Sequence, residues 1–300
     1  MRVSVKIAIL AYHQSAMDMA IGLVIFNPAR TKRIIMNYLY TVNEFHRHRL
    51  PVFTLELCFG NSKPEISDSI VVRGNSHMFH KERLCRLLET KIPSVYSKVA
   101  FIDADILFDS PDWYQRTSKL LNEYDVVHPF ERCNWLDLKY KTVFRSQESV
   151  VKINGTYFDA SYHPGFAWAF RRDWYRSVGF YDHAVSGSGD ALSAATWLNK
   201  EFPPGFKSLP VALRPSYDEF EKRPRPRITY LKACTVSHLY HGTIHNRQYT
   251  NRHAILDIPK DIRSLLYENP DGVYECSSPL DWNPILLDYF KNRNDDDLGV

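Results

Sequence analysis

Cysteine is scarce in this sequence and shows no pairing pattern. Five cysteines are scattered over 300 residues, and no two of them form a Cys-x-x-Cys pair. This spacing predicts neither a disulfide framework nor a structural zinc site. It is typical of a protein from a reducing compartment, and we therefore expect a cytoplasmic location.

Long apolar runs and a large excess of charge are missing as well. The apolar run at 20–26 is too short to span a bilayer, and the run at 5–12 is interrupted by Lys6 and does not have the form of a signal peptide. We expect a soluble chain with no integral membrane segment. The net charge of +4 is too small for a nucleic-acid-binding surface, although it suits the handling of small anions.

Apolar runs of strand length alternate with amphipathic helical patterns along the chain. This alternation predicts an α/β protein with a mostly parallel central sheet. We expect a single domain over residues 1–291 and a polar, flexible tail at 292–300. The predicted strands are at 5–12, 52–57, 69–73, 98–102 and 124–128, and the predicted helices at 30–48, 81–90, 110–121, 172–177 and from 190 onward.

Two carboxylates follow the apolar strand at 98–102. Asp103 and Asp105 flank Ala104, and the carboxyl ends of parallel strands are where α/β sheets bind ligands. Two such carboxylates can hold a hard divalent ion and leave coordination positions for phosphate oxygens. The ion then neutralises charge that develops on a leaving phosphate. A capping carboxylate beside a solvated one explains an isolated Asp-x-Asp equally well.

Four elements of the sequence, in this order, resemble glycosyltransferases of the GT-A type. They are the Asp-x-Asp segment 101–114 with the helix at 80–93 before it, the glycine-containing segment 163–169, the acidic segment 186–190, and the segment 238–242. The set is similar to glycosyltransferases of large DNA viruses (chlorovirus-like) and of bacteria. It implies a Rossmann-like GT-A fold, an α/β/α sandwich in which residues 1–128 bind a nucleotide-sugar and residues 129–291 form the acceptor and catalytic half. The location is the host cytoplasm if the chain is viral.

The resemblance implies a metal site for Mn²⁺ or Mg²⁺. Asp105 is the expected direct ligand, and Asp103 contacts either the ribose or the metal through water. A histidine from segment 238–242 completes the site. His241 is favoured because Gly242 after it lets the backbone approach a diphosphate closely, and His238 is the alternative.

The expected reaction moves a sugar from a nucleotide-diphosphate sugar to a hydroxyl of a glycan. Inversion at the anomeric carbon needs a carboxylate that deprotonates the acceptor, and Asp190 is the candidate. The helix that starts there would stabilise its negative charge. Asp190 could instead only cap that helix, and the sequence leaves stereochemistry open.

Further residues are expected to contact the donor or the acceptor. The resemblance favours uracil as the base, although guanine stays open, and the sugar is a hexose or a pentose such as xylose. We expect residues 243–252 to form a flap that closes over the donor, with Arg247 or Arg252 gripping the diphosphate. A permanently ordered helix over the same residues is the alternative. The donor-binding candidates besides Asp103, Ala104 and Asp105 are Ala11, Tyr12, His13, Lys81, Arg83, Gly242 and Arg247, and the acceptor-binding candidates are Trp135, Gly165, Phe166, Trp168 and Gly189.

Two other functions compete with glycosyl transfer. A sugar-phosphate nucleotidyltransferase would carry a glycine-rich loop after the first predicted strand, whereas residues 12–17 contain no glycine. A non-catalytic glycan-binding module would be expected to lose acidic residues at the Asp-x-Asp or at the helix start, and this chain keeps both.

Overall fold

The computed structural model describes residues 17–153, 161–201, 209–247, 251–277 and 282–297. Its centre is a seven-stranded sheet in the order β11-β6-β10-β4-β1-β2-β3, in which only β10 runs antiparallel to its neighbours. The predicted α/β architecture with a mostly parallel central sheet is confirmed. The strands of this sheet are β1 Met19–Phe26, β2 Val52–Phe59, β3 Ile70–Gly74, β4 Lys98–Ile102, β6 Val126–His128, β10 Ala167–Arg171 and β11 Ile228–Tyr230.

The central strand β1 was not among the predicted strands. It lies between β4 and β2, and its residues Met19, Ile21 and Leu23 are fully buried. Gly22 leaves room for the ring of Phe101 on the neighbouring strand β4, because a Cβ atom at position 22 would lie 2.7 Å from that ring. The strand predicted at 5–12 lies outside the described residues.

Helices cover both faces of the central sheet. On one face the first helix buries Tyr38, Val42 and Phe45, whose spacing places them on one helical stripe. On the other face the second helix buries Leu84 and Leu88 in the same way. The helices are α1 Lys32–Arg47, α2 Lys81–Lys91, α3 Trp113–Leu120, α4 Arg172–Ser177, α5 Gly189–Leu198, α6 Arg214–Phe220 and α7 Asn283–Asn292.

A smaller sheet in the order β5-β12-β7-β8-β9 lies beside the large one. The chain passes from β4 into β5 through residues 103–105, so the two carboxylates lie where the chain moves from one sheet to the other. The strands of this sheet are β5 Ile106–Phe108, β7 Arg132–Leu136, β8 Val143–Ser149, β9 Tyr162–His163 and β12 Thr235–His238, and a separate hairpin pairs β13 Leu266–Glu268 with β14 Tyr274–Cys276.

Two residues of the tail that is predicted to be flexible, Asp295 and Asp296, make contacts with the rest of the chain. Asp295 is buried, and the carboxylate of Asp296 accepts the backbone N–H groups of Lys32 and Arg33 at the start of α1. None of the helices within the described ranges is long and apolar enough to cross a membrane.

Candidate functional site

A cavity of about 570 Å³ opens at the carboxyl ends of β1 and β4. Because parallel strands end at the same edge of a sheet, the turns after these two strands meet there. The opposite wall comes from the small sheet and from the C-terminal residues. The predicted site residues that line this cavity are Lys81, Asp103, Ala104, Asp105, Trp135, Phe166, Asp190, His241 and Arg247, together with the alternative ligand His238.

Asp105, His238 and His241 form a compact cluster in the cavity wall. The Nε2 atom of His241 lies 2.8 Å from Asp105 Oδ2, and the Nε2 atom of His238 lies 3.5 Å from the same oxygen. The two Nε2 atoms are 3.2 Å apart. One oxygen or nitrogen atom from each residue therefore lies within 4.8 Å of the others, a spacing that suits three ligands of one cation.

Strand register brings these three residues together. Strand β5 begins directly after Asp105, and its first residue, Ile106, pairs with His238 in the antiparallel ladder with β12. The N–H group of Leu239 donates to the carbonyl oxygen of Asp105 at 2.8 Å. The two histidines that the sequence analysis treats as alternatives therefore both reach Asp105.

The polar atoms of this cluster fit a divalent metal ion. Asp105 Oδ1 and His238 Nδ1 are buried and have no hydrogen-bond partner among the described residues. Burial lowers the pKa of His238 well below its usual value, which leaves a neutral ring with a free lone pair. Burial opposes ionisation of Asp105, but the neighbouring histidines and Arg247 outweigh it and hold the pKa of this carboxyl below its usual range. The two imidazoles favour Mn²⁺ over Mg²⁺, whose ligands are mostly oxygens.

A single ammonium group joins the Asp-x-Asp segment to the start of α5. The Nζ atom of Lys81 lies 2.6 Å from Asp103 Oδ1 and 3.6 Å from Asp190 Oδ2. Burial would lower the pKa of Lys81, but the two carboxylates outweigh it and raise this pKa, so the side chain stays charged. Asp103 thus faces Lys81 and lies outside the cluster of three ligand residues.

Asp190 lies in the first turn of α5 with its carboxylate at the cavity. Its Oδ1 atom accepts the N–H group of Ala191 at 2.8 Å, so a contact of the capping kind is present. Its Oδ2 atom faces Lys81 and remains at the cavity wall. The same residue can therefore stabilise the helix start and meet a bound molecule.

Two glycines that we expected to bind the acceptor provide space for acidic side chains instead. A Cβ atom on Gly165 would lie 2.5 Å from Asp190 Oδ2, and a Cβ atom on Gly189 would lie 2.5 Å from the carboxyl carbon of Glu82. Neither glycine is among the residues that line the cavity.

Arg247 reaches the centre of the site. It is buried, its Nη2 atom lies 3.0 Å from His241 Nε2, and its guanidinium lies 5.3 Å from the ring centre of Trp135. Arg252, near the other end of the predicted flap, donates to Ser188 Oγ at 2.9 Å. Residues 248–250 between them lie outside the described residues, and the flap stays a prediction.

Arg83 was expected to contact the donor, and the structure corrects this. Its guanidinium points away from the cavity, pairs with Glu268 at 2.6 Å and donates to the carbonyl oxygen of Gly272 at 2.7 Å. It also lies over the ring of Tyr274. These contacts hold the hairpin β13–β14 against α2 and make Arg83 a structural residue.

Other predicted site residues also differ in position from the prediction. Trp168 is buried with its ring stacked on His128 at a centroid distance of 4.1 Å, so it belongs to the core. Gly242 has a φ of +75°, and a Cβ atom there would lie 3.0 Å from the backbone oxygens of Arg293 and Asn294. It therefore packs against the C-terminal tail and does not line the cavity. Ala11, Tyr12 and His13 lie outside the described residues, and Asn27 follows β1 at the cavity.

Several residues of the cavity wall escaped the sequence analysis. Burial, with the negative charge of Asp190, raises the pKa of Glu82 to about 8. Burial and the nearby positive charges of Lys81, Arg145 and Arg247 lower the pKa of His163 to about 3. Glu82 adjoins Lys81 in the sequence and His163 begins the glycine-containing segment 163–169, so both could have been considered, whereas nothing in the sequence links Arg145 or Asp295 to the site. The titratable wall residues that were not predicted include Glu82, Arg145, His163 and Asp295.

The sequence matches no protein-family model and none of the curated proteins. Several solved transferases show a distant structural likeness. The Drosophila β1,4-galactosyltransferase 7 in complex with manganese, UDP-Gal and xylobiose has a TM-score of 0.43 at 11% identity, over 89% of this chain and 98% of that chain. Glucosyl-3-phosphoglycerate synthase from Mycobacterium tuberculosis, in complex with Mg²⁺ and UDP, has a TM-score of 0.36 at 10% identity, over 83% of this chain and 81% of that chain.

A third structure is a glycosyltransferase involved in the glycosylation of the major capsid of PBCV-1. It has a TM-score of 0.31 at 12% identity, over 80% of this chain and 98% of that chain. Likenesses this distant carry no assignment of substrate or activity, which has to come from the cavity itself.

Proposed function

We propose that this chain is a metal-dependent glycosyltransferase of the GT-A type. The observation that carries the proposal is that a cluster of three residues with the spacing of metal ligands and a separate carboxylate open onto one cavity. The cluster is Asp105, His238 and His241, and the carboxylate is Asp190, linked to Asp103 through Lys81. A transferase that uses a nucleotide-diphosphate sugar needs both parts, because one side of the reaction releases an anion and the other loses a proton.

The leaving-group side is the wall formed by the cluster and by Arg247. Asp105, His238 and His241 would hold a divalent ion, which would supply positive charge to the departing diphosphate. Arg247 is buried beside His241 and adds a fixed positive charge on the same side. The donor is a nucleotide-diphosphate sugar, with a UDP-hexose or a UDP-pentose favoured.

The acceptor side is the wall that carries Asp190. An acceptor hydroxyl placed there transfers its proton to the Asp190 carboxylate while its oxygen bonds to the anomeric carbon. The bond from that carbon to the phosphate oxygen breaks, and its electron pair leaves with the diphosphate. Attack from the face opposite the leaving group inverts the anomeric configuration. Trp135 and Phe166 line the cavity between these walls and offer apolar rings to a sugar.

A panel of nucleotide-sugars tests this function. The purified chain is incubated with each UDP- and GDP-sugar and Mn²⁺, and released nucleotide is measured with and without a chelator. We expect slow, metal-dependent hydrolysis of one donor class even without an acceptor. Saturable binding of a nucleotide-sugar with no turnover in the presence of glycan acceptors would instead indicate a binding module, and no effect of any donor would contradict the proposal.

A further inference from the structure

The C-terminal tail contributes a carboxylate to the back of the proposed metal centre. Asp295 Oδ1 lies 3.1 Å from the Nδ1 atom of His241, while the Nε2 atom of the same ring faces Asp105. Both Asp295 and His241 are buried, so this contact is shielded from water. The two nitrogens of one imidazole therefore face two different carboxylates.

Both ring nitrogens of His241 face a carboxylate that can accept its proton, Asp105 on the Nε2 side and Asp295 on the Nδ1 side. A neutral imidazole carries one N–H group, and the carboxylate of Asp295 can only accept it. The Nη2 atom of Arg247, which can only donate, lies closer to Nε2 than to Nδ1, at 3.0 Å against 3.3 Å. Without a cation, Asp105 Oδ2 competes for the same proton from the Nε2 side at 2.8 Å. A cation held by the cluster would take the Nε2 lone pair and leave the proton on Nδ1, facing Asp295.

The backbone of the tail is held in place on both sides of Asp295. Before it, Arg293 donates to Asp295 Oδ1 at 3.2 Å. After it, Asp296 accepts N–H groups at the start of α1, at 2.7 Å from Arg33 and 3.1 Å from Lys32. Because Gly242 has no side chain, the backbone of residues 293–295 can lie directly against the backbone next to His241.

We propose that Asp295 is a positioning residue of this metal centre, which acts by orienting the ring of His241 and fixing its tautomer. A metal-binding histidine commonly donates its other N–H group to a carboxylate, which increases its basicity and sets the ring direction. Asp295 contacts the side of the ring remote from the cluster, so it acts through His241 and is not itself a ligand. The inference rests on the metal site of the proposed function.

Mn²⁺ alone is the probe that tests this role, since no donor or acceptor is required. Binding is measured by calorimetry and by electron paramagnetic resonance for the wild type, Asp295→Ala, Asp295→Asn and the matched control Asp288→Ala. Asp288 is an exposed carboxylate on α7 whose hydrogen bond is to Asn292 of the same helix, so its removal takes away the same charge but no contact to His241 or to the tail after Asn292. We expect Asp295→Ala to bind Mn²⁺ about 10- to 100-fold more weakly, Asp295→Asn to lie between, and Asp288→Ala to match the wild type.

A second readout follows the ring directly. In metal-free protein, the ¹⁵N chemical shifts of His241 should report more protonation of Nδ1 in the wild type and in Asp288→Ala than in Asp295→Ala, where only Asp105, on the Nε2 side, remains to accept the proton. If Asp295→Ala does not fold, Asp295→Asn, which keeps the side-chain size, serves for both measurements.

The outcomes test two claims, the positioning role of Asp295 and the metal site itself. Mn²⁺ affinity and His241 shifts that stay at wild-type values in the Asp295 variants would overturn the positioning role. An equal loss of affinity in Asp288→Ala would overturn it too, since the loss of any nearby negative charge would then be the cause. A wild type that does not bind Mn²⁺ would overturn the metal site itself, and the proposed function with it.

Discussion

Gly165 faces the carboxylate of Asp190 so closely that no side chain fits between them. A Cβ atom on Gly165 would lie 2.5 Å from Asp190 Oδ2, well inside the contact distance of a carbon and an oxygen. The main-chain oxygen of Gly165 accepts a hydrogen bond from the buried imidazole of His128 at 3.1 Å, which holds the loop around Gly165 in place. The position of the proposed catalytic base therefore depends on a glycine in another segment.

Gly165→Ala should displace the Asp190 carboxylate and reduce turnover. A shift of about 1 Å in a reacting group can cost about 100-fold in rate, and we expect a loss of that order. The affinity for UDP with Mn²⁺ should stay near the wild-type value, because neither Gly165 nor Asp190 belongs to the metal cluster. Steady-state kinetics and calorimetry measure the two quantities. A wild-type rate in this variant would show that Asp190 does not need its present position.

Asp190→Asn should separate the capping contact from the chemistry. Asparagine keeps a side-chain oxygen for the N–H group of Ala191 but cannot accept the acceptor's proton. We expect a fall in turnover of about 100- to 10,000-fold with unchanged donor affinity and thermal stability. The product formed by the wild type should have the inverted anomeric configuration by NMR. Turnover within a few-fold of the wild type, or a retained configuration, would remove the base role.

Arg83→Met should reduce stability without affecting donor binding. The substitution keeps apolar bulk but removes the pair with Glu268, the hydrogen bond to the Gly272 carbonyl and the contact with the Tyr274 ring. We expect a loss of about 1–3 kcal/mol in the free energy of unfolding, measured with urea. Lys81→Met is the matched comparison, since Lys81 lies on the same helix but lines the cavity. A weakened UDP affinity in folded Arg83→Met would contradict the structural assignment.

Glu82→Gln should change how stability depends on pH. The raised pKa of about 8 means that folded Glu82 keeps its proton where the unfolded chain, with a pKa of 4.5, loses it. The stability that this proton contributes is complete below pH 4.5 and is lost as pH rises through about 8. Glutamine cannot ionise, so between these two pH values the free energy of unfolding of the variant should rise relative to that of the wild type, on the order of 1 kcal/mol per pH unit. Urea unfolding in chelator at several pH values measures this, and a constant difference would show that Glu82 is ionised in the folded protein.

The elements with a clear pattern were predictable from the sequence, and the central strand was not. Strand β4 has the bounds that the apolar run at 98–102 predicts, and α4 has those predicted at 172–177. Strand β1 is buried on both faces, and its sequence shows no alternation of apolar and polar residues. Its apolar run therefore gives no stronger strand signal than the similar run at 5–12. That the run at 19–26 forms the central strand follows only from its pairing with β4.

Site residues were predictable only where they stand directly after a strand or at the start of a helix that the sequence itself predicts. Asp105 and Asp190 follow or begin regular elements, and both line the cavity. The prediction that Arg83 contacts the donor was wrong. Helix geometry argued against it, because residues two apart on a helix, such as Lys81 and Arg83, do not face the same way. Asp295 reaches His241 across 54 residues of sequence, and a polar tail gives no sign of such a contact.

Calorimetric titration of UDP into the protein tests the central claim most directly. It is carried out with Mn²⁺, with a chelator, and with Asp105→Ala in the presence of Mn²⁺. The control is Asp112→Ala with Mn²⁺, because Asp112 is an exposed carboxylate that pairs with Arg116 and does not line the cavity. We predict saturable binding to the wild type and the control with Mn²⁺, and loss of most of that affinity in chelator and in Asp105→Ala. Binding of equal strength in all four titrations, or no binding in any of them, would contradict a nucleotide-diphosphate site built on this metal cluster.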